Sequence, residues 1–186
     1  MDFSSNHKEA ETLEPALPAD LICDAIMVLK VAVRAGLKIA TAESCTGGML
    51  ASLLTDIEGV SHVFDRGFVT YSDASKCDLL GISPDLIFDY GAVSEPIVCA
   101  MARGALQRSE ASLAIAITGF TGKGSPSEEA GLVHLACAMS DGTVHHQLCH
   151  FGDIGRGTTR IATLRVAVAM LRQGADHLAI SYALAE

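Results

Sequence analysis

Leu37-Lys38-Ile39-Ala40-Thr41-Ala42-Glu43-Ser44-Cys45-Thr46-Gly47-Gly48-Met49-Leu50 passes from a short apolar run, through small polar residues and two glycines, into a new apolar pattern. Met49, Leu50, Leu53 and Leu54 recur at helical spacing, so the stretch reads as strand, tight turn, helix. A helix start offers unpaired backbone N–H groups and the positive end of a dipole, a suitable seat for an anion or an oxyanion. Ser44, Cys45 and Thr46 add three hydroxyl or thiol groups there. The same residues also suit an ordinary helix cap, because Ser and Thr are favoured at that position. Local pattern alone leaves both readings open.

The elements on either side extend this βα unit into an α/β domain. Upstream, Asp20 is placed to cap a helix whose apolar positions Ile22, Ala25, Ile26, Leu29 and Val33 share a face, with Gly36 as its C′ residue. The first strand is Lys38 to Ala42, and the helix after Gly48 is expected to stop near Asp56 to Gly59. Val63 to Tyr71 reads as a strand, with Gly67 marking a bulge or a close backbone approach. Asp73 then caps a helix over Ala74 to Leu80. Ser83-Pro84 starts another that runs to Tyr90, and Ser94 opens a third through about Leu106. Ser112 to Thr118 is a continuous apolar run, as expected of a strand covered on both faces. A glycine-rich loop, Gly119 to Pro126, leads to strands Gly131 to Met139 and Thr143 to Phe151 around the hairpin signal Asp141-Gly142. Gly152 to Thr158 reads as a turn, and Arg160 to about Gly174 as a helix. This order predicts a three-layer α/β/α sandwich with a mixed sheet in a single domain over residues 20–180.

Composition narrows the function classes. Nearly half of the 186 residues are hydrophobic and 5% are aromatic, so Ala, Val, Ile and Leu build the core. The net charge is −9, and residues 1–20 concentrate Asp2, Glu9, Glu11, Glu14 and Asp20 against Lys8. With Pro15 and Pro18, residues 1–19 read as a flexible acidic tail. The absence of a Lys/Arg run argues against nucleic acid and an anionic membrane as partners. No apolar run approaches spanning length, and the N-terminus lacks the regions of a signal peptide. The six cysteines are widely spread without CxxC spacing, which fits a reduced, cytoplasmic chain. His145, His146 and His150 do not all face one way on a strand, so no metal site is expected.

Four motifs occur together and in order: Thr41-Ala42-Glu43-Ser44-Cys45-Thr46-Gly47-Gly48, Tyr71-Ser72-Asp73-x-x-Lys76, Gly91-Ala92-Val93-Ser94 and Thr118-Gly119. From about Leu21 to Ala175 the chain resembles the CinA C-terminal domain family, whose enzymatic members are nicotinamide-nucleotide amidases. The resemblance implies hydrolysis of the carboxamide of nicotinamide mononucleotide to nicotinate mononucleotide and ammonia, without a cofactor, by a homodimer. It implies Ser44 as nucleophile, Lys76 as base and the Tyr71 hydroxyl as an assisting group. Larger members carry a further N-terminal domain with pyrophosphatase activity, which 186 residues do not accommodate and which is not expected here.

The residues make that chemistry reasonable. A serine attacks an amide poorly unless a base takes its proton. If the first two strands are parallel neighbours, their carboxyl ends open on one edge, bringing Tyr71 and Lys76 toward Ser44. The helix dipole and partial burial favour the neutral amine that a base requires. Cys45, Thr46, Gly47 and Gly48 are placed to bind the oxyanion side of the substrate, with helix-start N–H groups as donors. Thr118, Gly119 and Gly122 are placed to hold the ribose phosphate or the pyridine ring. No motif puts a histidine near Cys45, which leaves a Cys–His nucleophile unsupported.

The chain departs from the family pattern around the substrate. The loop after Thr118-Gly119 is shortened, Arg66 stands where glycine is commoner, and the Gly-Asp-Arg element reads Gly152-Asp153-Ile154, with Arg156 and Arg160 as substitutes. A domain that binds a nucleotide or a partner protein with little turnover is the alternative.

Overall fold

Alternation along the central strands divides the core into two unlike halves. Ile39, Leu113, Ile115, Ile117, Val133, Leu135 and Met139 point to one face of the sheet, while Ala40, Ala42, Ala114, Ala116, Ala136 and Ala138 point to the other. Large aliphatics on one side and alanines on the other follow directly from the period-2 geometry of strands. The computed structural model describes residues 17–122 and 128–184. The tail up to residue 16, and Lys123, Gly124, Ser125, Pro126 and Ser127 of the shortened loop, lie outside the described residues.

The elements run α1 (Ala19–Arg34), β1 (Ile39–Glu43), α2 (Met49–Thr55), β2 (Phe64–Val69), α3 (Asp73–Leu80), α4 (Pro84–Tyr90), α5 (Glu95–Gln107), β3 (Leu113–Gly119), β4 (Leu132–Met139), β5 (Val144–His150) and α6 (Arg156–Ala183). The sheet order is β2-β1-β3-β4-β5. β1 is parallel to both β2 and β3, and the β4 and β5 pairings are antiparallel. This is the expected three-layer mixed-sheet sandwich. Helices α1, α2 and α6 cover the large-residue face, and α5 packs on the alanine face with Ala102 and Ala105, while its Gly104 admits the backbone of Leu80 at the end of α3. β1 lies between its two parallel neighbours, so the chain leaves its carboxyl end at a topological switch point, where ligands bind in open α/β sheets.

Of the two readings of Gly67 the close approach is the one seen at that residue, and the bulge lies two residues earlier, at Asp65. The register slips between Ile39–Phe64 and Ala40–Arg66, and a Cβ on Gly67 would lie 3.0 Å from Thr41 Oγ1 and 3.1 Å from Ala51 Cβ. The N-cap of α3 is Ser72 rather than Asp73: its hydroxyl accepts from Ser75 N–H, and the Ser75 hydroxyl accepts from Ser72 N–H, a capping box.

Two helices depart from the sequence expectation. α1 buries Leu21, Ala25, Val28, Leu29 and Ala32, while Val33 is exposed and Ile22 and Ile26 are only half-buried. Two apolar stripes overlap on this helix, and packing against α6 selects the one that sequence did not. Asp20 makes no side-chain cap and instead pairs with Arg165 of α6. α6 starts at Arg156 and runs through Gly174 to Ala183. Gly174 is a contact residue rather than a stop: a Cβ there would lie 2.6 Å from Leu113 Cδ1, so the helix tolerates glycine's ~1 kcal/mol propensity cost to lie close on the sheet.

Candidate active site

The site starts at the last residue of β1. Glu43 is fully buried on the α2 side. Its Oε2 accepts from the N–H groups of Gly48 and Leu50 at 3.1 Å each, and its Oε1 from Ala51 N–H at 2.8 Å. A carboxylate against the positive end of a helix is favourable on both dipole and hydrogen-bond grounds. Of the amides expected to receive an oxyanion, that of Gly48 is therefore already occupied, and that of Gly47 donates to Ser44 O. Among the described residues, the Thr46 amide donates to no other group, and the Cys45 amide reaches only its own sulfur. The free donors are thus the amides of Cys45 and Thr46, two of the four positions singled out from the sequence.

Ser44 continues the line of β1, donating its N–H to Ile117 O of β3 at 3.0 Å. The chain then reverses through Gly47 (φ 65°) and Gly48 (φ 93°), left-handed positions that exclude most other residues. Arg160 of α6 fastens the turn by donating Nε–H to Cys45 O at 2.8 Å. Ser44 is thereby held at the end of a buried strand with its side chain at the edge of a cavity of about 320 Å³.

Lys76 reaches the same cavity from the first turn of α3. It is 1% exposed, so the amine is desolvated. Nζ donates to Thr70 O at 3.1 Å and lies 3.5 Å from Tyr71 O, with Asp73 Oδ1 at 3.8 Å. Burial pushes the amine below the ordinary lysine value, and the charge of Asp73 opposes that shift. Cys45 lines the cavity beside Ser44, but burial pushes its thiol up to about 12, which keeps it protonated and a poor nucleophile.

The structure brings Ser44, Cys45, Tyr71, Lys76, Thr118, Gly119 and Gly122 to this one cavity. Tyr71 stands at it with its side chain 69% exposed. Thr46, Gly47 and Gly48 are not among the lining residues; they shape the turn beneath it. The Thr118 hydroxyl donates to Ala92 O at 2.9 Å, tying the Gly91–Ser94 motif to the end of β3. A Cβ on Gly119 would sit 2.6 Å from Leu132 O, so glycine is needed for the β3–β4 contact there.

The opposite wall contains residues outside the set singled out for binding. Arg156, first residue of α6, enters the cavity and donates from Nη1 to Thr121 Oγ1 at 3.3 Å. Phe120, Glu128 and Asp73 line the same space. Arg156 had a sequence signal, as a substitute within the altered Gly-Asp-Arg element, and Asp73 had one as a member of the Tyr71–Lys76 motif. The histidines stand apart from these lining residues: His134 and His146 share a 3.1 Å hydrogen bond, His146 faces Glu95, and His150 pairs with Glu129 at 2.7 Å.

The family model of the CinA C-terminal domain matches residues 25–175. A CinA-like protein of Akkermansia muciniphila is 48% identical over 114 residues, 60% of this chain and 28% of that protein. One from Mycolicibacterium gilvum is 45% identical over 144 residues, 76% of this chain and 34% of that protein. The chain thus spans about a third of the length of such curated relatives. Among solved structures, the competence/damage inducible protein CihA from Agrobacterium tumefaciens superposes with a TM-score of 0.81 at 45% identity, covering 83% of this chain and 95% of that one. A CinA superfamily protein from Escherichia coli gives a TM-score of 0.73 at 32% identity, covering 93% and 99%.

Proposed function

This chain belongs to the CinA C-terminal domain family, and we propose that it is a serine amidohydrolase that deamidates nicotinamide mononucleotide. The observation that carries the reading is the meeting of Ser44 with a desolvated Lys76 at one cavity, on the motif positions that the family resemblance assigns to nucleophile and base.

Neutral Lys76 takes the proton of Ser44, and Oγ attacks the carboxamide carbon. The resulting oxyanion is received by the amides of Thr46 and Cys45, which the capping of α2 by Glu43 leaves over. Lys76 returns its proton to the departing nitrogen, ammonia leaves, and water hydrolyses the acyl-serine. On the far wall, Arg156 with Thr121 and the Gly122 backbone offers donors to a phosphate, while Phe120 and Tyr71 supply apolar surface to a ring. The substrate is a small pyridine nucleotide, and the protein works as a homodimer in the cytoplasm. No described helix is long and apolar enough to cross a membrane.

The test is incubation of the folded protein with nicotinamide mononucleotide, following ammonia and nicotinate mononucleotide together. Equimolar appearance of both supports the reading; no release of either overturns it in favour of a binding domain.

A further inference from the structure

Resting on the reading of Lys76 as the base, we propose that Asp73 makes the site selective for a carboxamide carried on a positively charged ring, because a cation beside Asp73 frees Lys76 of its proton. Asp73 is the first residue of α3, lines the cavity, and keeps its side chain 61% exposed. Its Oδ1 is 3.8 Å from Lys76 Nζ, too far for a hydrogen bond and close enough for charge to act. Lys76 directs its hydrogen bonds to the carbonyls of Thr70 and Tyr71 instead. Asp73 therefore acts on the amine through its field and presents its oxygens to the cavity.

That field is adverse to catalysis in the empty site, since a nearby carboxylate favours the ammonium and a base must be neutral. The other groups facing Lys76 do not replace it. Cys45, from the turn after β1, stays a thiol, and Cys77 is the next residue on α3. The Tyr71 phenol shares the cavity, and Glu128 and Arg156 stand on the lining as well. A ring cation settling against Asp73 offsets the carboxylate and adds its own repulsion on the ammonium. The proton leaves Nζ for solvent, and the neutral amine then accepts the Ser44 proton. An uncharged ring does neither, so substrate charge is read out in the ionisation of the base.

The test compares nicotinamide mononucleotide with its 1,4-dihydro form, which keeps the carboxamide and ribose phosphate but has a neutral ring. The ratio of kcat/KM for the two is measured across pH in wild type and Asp73→Asn; differences in intrinsic reactivity cancel between the proteins. Asp73→Asn is expected to lower the ratio by roughly three- to fivefold, the size of effect of a part-exposed charge pair. It is also expected to move the acid limb of the pH profile to lower pH, because the carboxylate that raised the lysine is gone. An unchanged ratio and limb overturn the proposal. Calorimetry on Ser44→Ala, in two buffers of different ionisation enthalpy, reads binding without turnover. Proton release with the cationic ligand, absent with the dihydro form and in the double variant with Asp73→Asn, supports the proposal; equal release in all cases overturns it. Absence of ammonia from wild type with either compound defeats the amidase reading separately, and the calorimetric result then still decides whether Asp73 couples charge to Lys76.

Discussion

On one wall of the cavity Lys76, with Glu43 behind the lining, is withdrawn from solvent and both are held by backbone groups; on the other, Arg156 is exposed at a helix start and Glu128 half-buried in a loop. The first wall is built from the ends of β1 and β2, which are locked side by side in the sheet. Each buried charge there has a fixed duty. Glu43 satisfies three amides of α2 and thereby sets where Ser44 emerges. Lys76 trades solvation for a proton affinity nearer to that of a working base. On the second wall Arg156 donates to Thr121 at 3.3 Å and is itself exposed, so its guanidinium can turn toward a ligand. A rigid reacting wall facing an adaptable recognition wall lets catalytic geometry persist while substrate preference drifts. That matches a sequence whose nucleophile motif is intact and whose substrate-side loop is altered.

Substitutions that separate the two walls test this contrast. Lys76→Met, which keeps the buried stem and removes the amine, is expected to lower kcat by about 10³-fold with little change in KM, within the span of general-base effects. The wild-type profile sharpens the same point. Activity rises with pH as Lys76 loses its proton, and because burial lowers its affinity the rise comes below the ordinary lysine value of 10.5. A limb at or above that value would remove Lys76 as the base. Glu43→Ala leaves the α2 amides without their acceptor and is expected to cost about 2–4 kcal/mol in a denaturant titration, each buried unsatisfied group costing ~1–3 kcal/mol before water relieves some. An undiminished denaturation midpoint would show that the carboxylate does not hold the turn. Arg156→Ala is expected to raise KM about tenfold with kcat nearly unchanged, as for a lost phosphate contact, and to leave thermal stability as it was. A fall in kcat equal to that of Lys76→Met would break the division between walls.

The reacting wall was far more legible in the sequence than the recognition wall, for physical reasons. The run into Ser44 and the glycines after it declare strand, turn and helix within a dozen residues, and parallel pairing of neighbouring strands then carries Tyr71 and Lys76 to the same edge. The duty of Glu43 was not visible, because a carboxylate at a strand end has meaning only once the amides of α2 are seen to converge on it. With Gly47 and Gly48 bonded within the turn, the expected set of oxyanion donors narrows to Cys45 and Thr46. The helical position of Arg156, though not its candidacy, was hidden by its neighbours: Gly155 and Gly157 read as a turn, whereas Gly155 is the N-cap and Gly157 lies within α6. Gly174 misled in the same way at the other end, since a glycine chosen for close packing looks like a glycine chosen to end a helix. The alanine and large-residue faces of the sheet, by contrast, were already written in the alternation of β1, β3 and β4.

The most direct measurement is ammonia release from nicotinamide mononucleotide by Ser44→Ala beside wild type, with circular dichroism to establish that both are folded. Release by wild type and a fall of about 10³-fold or more in the variant is the expected result. Equal release by the two proteins would contradict Ser44 as the nucleophile and move the chemistry to another part of the cavity.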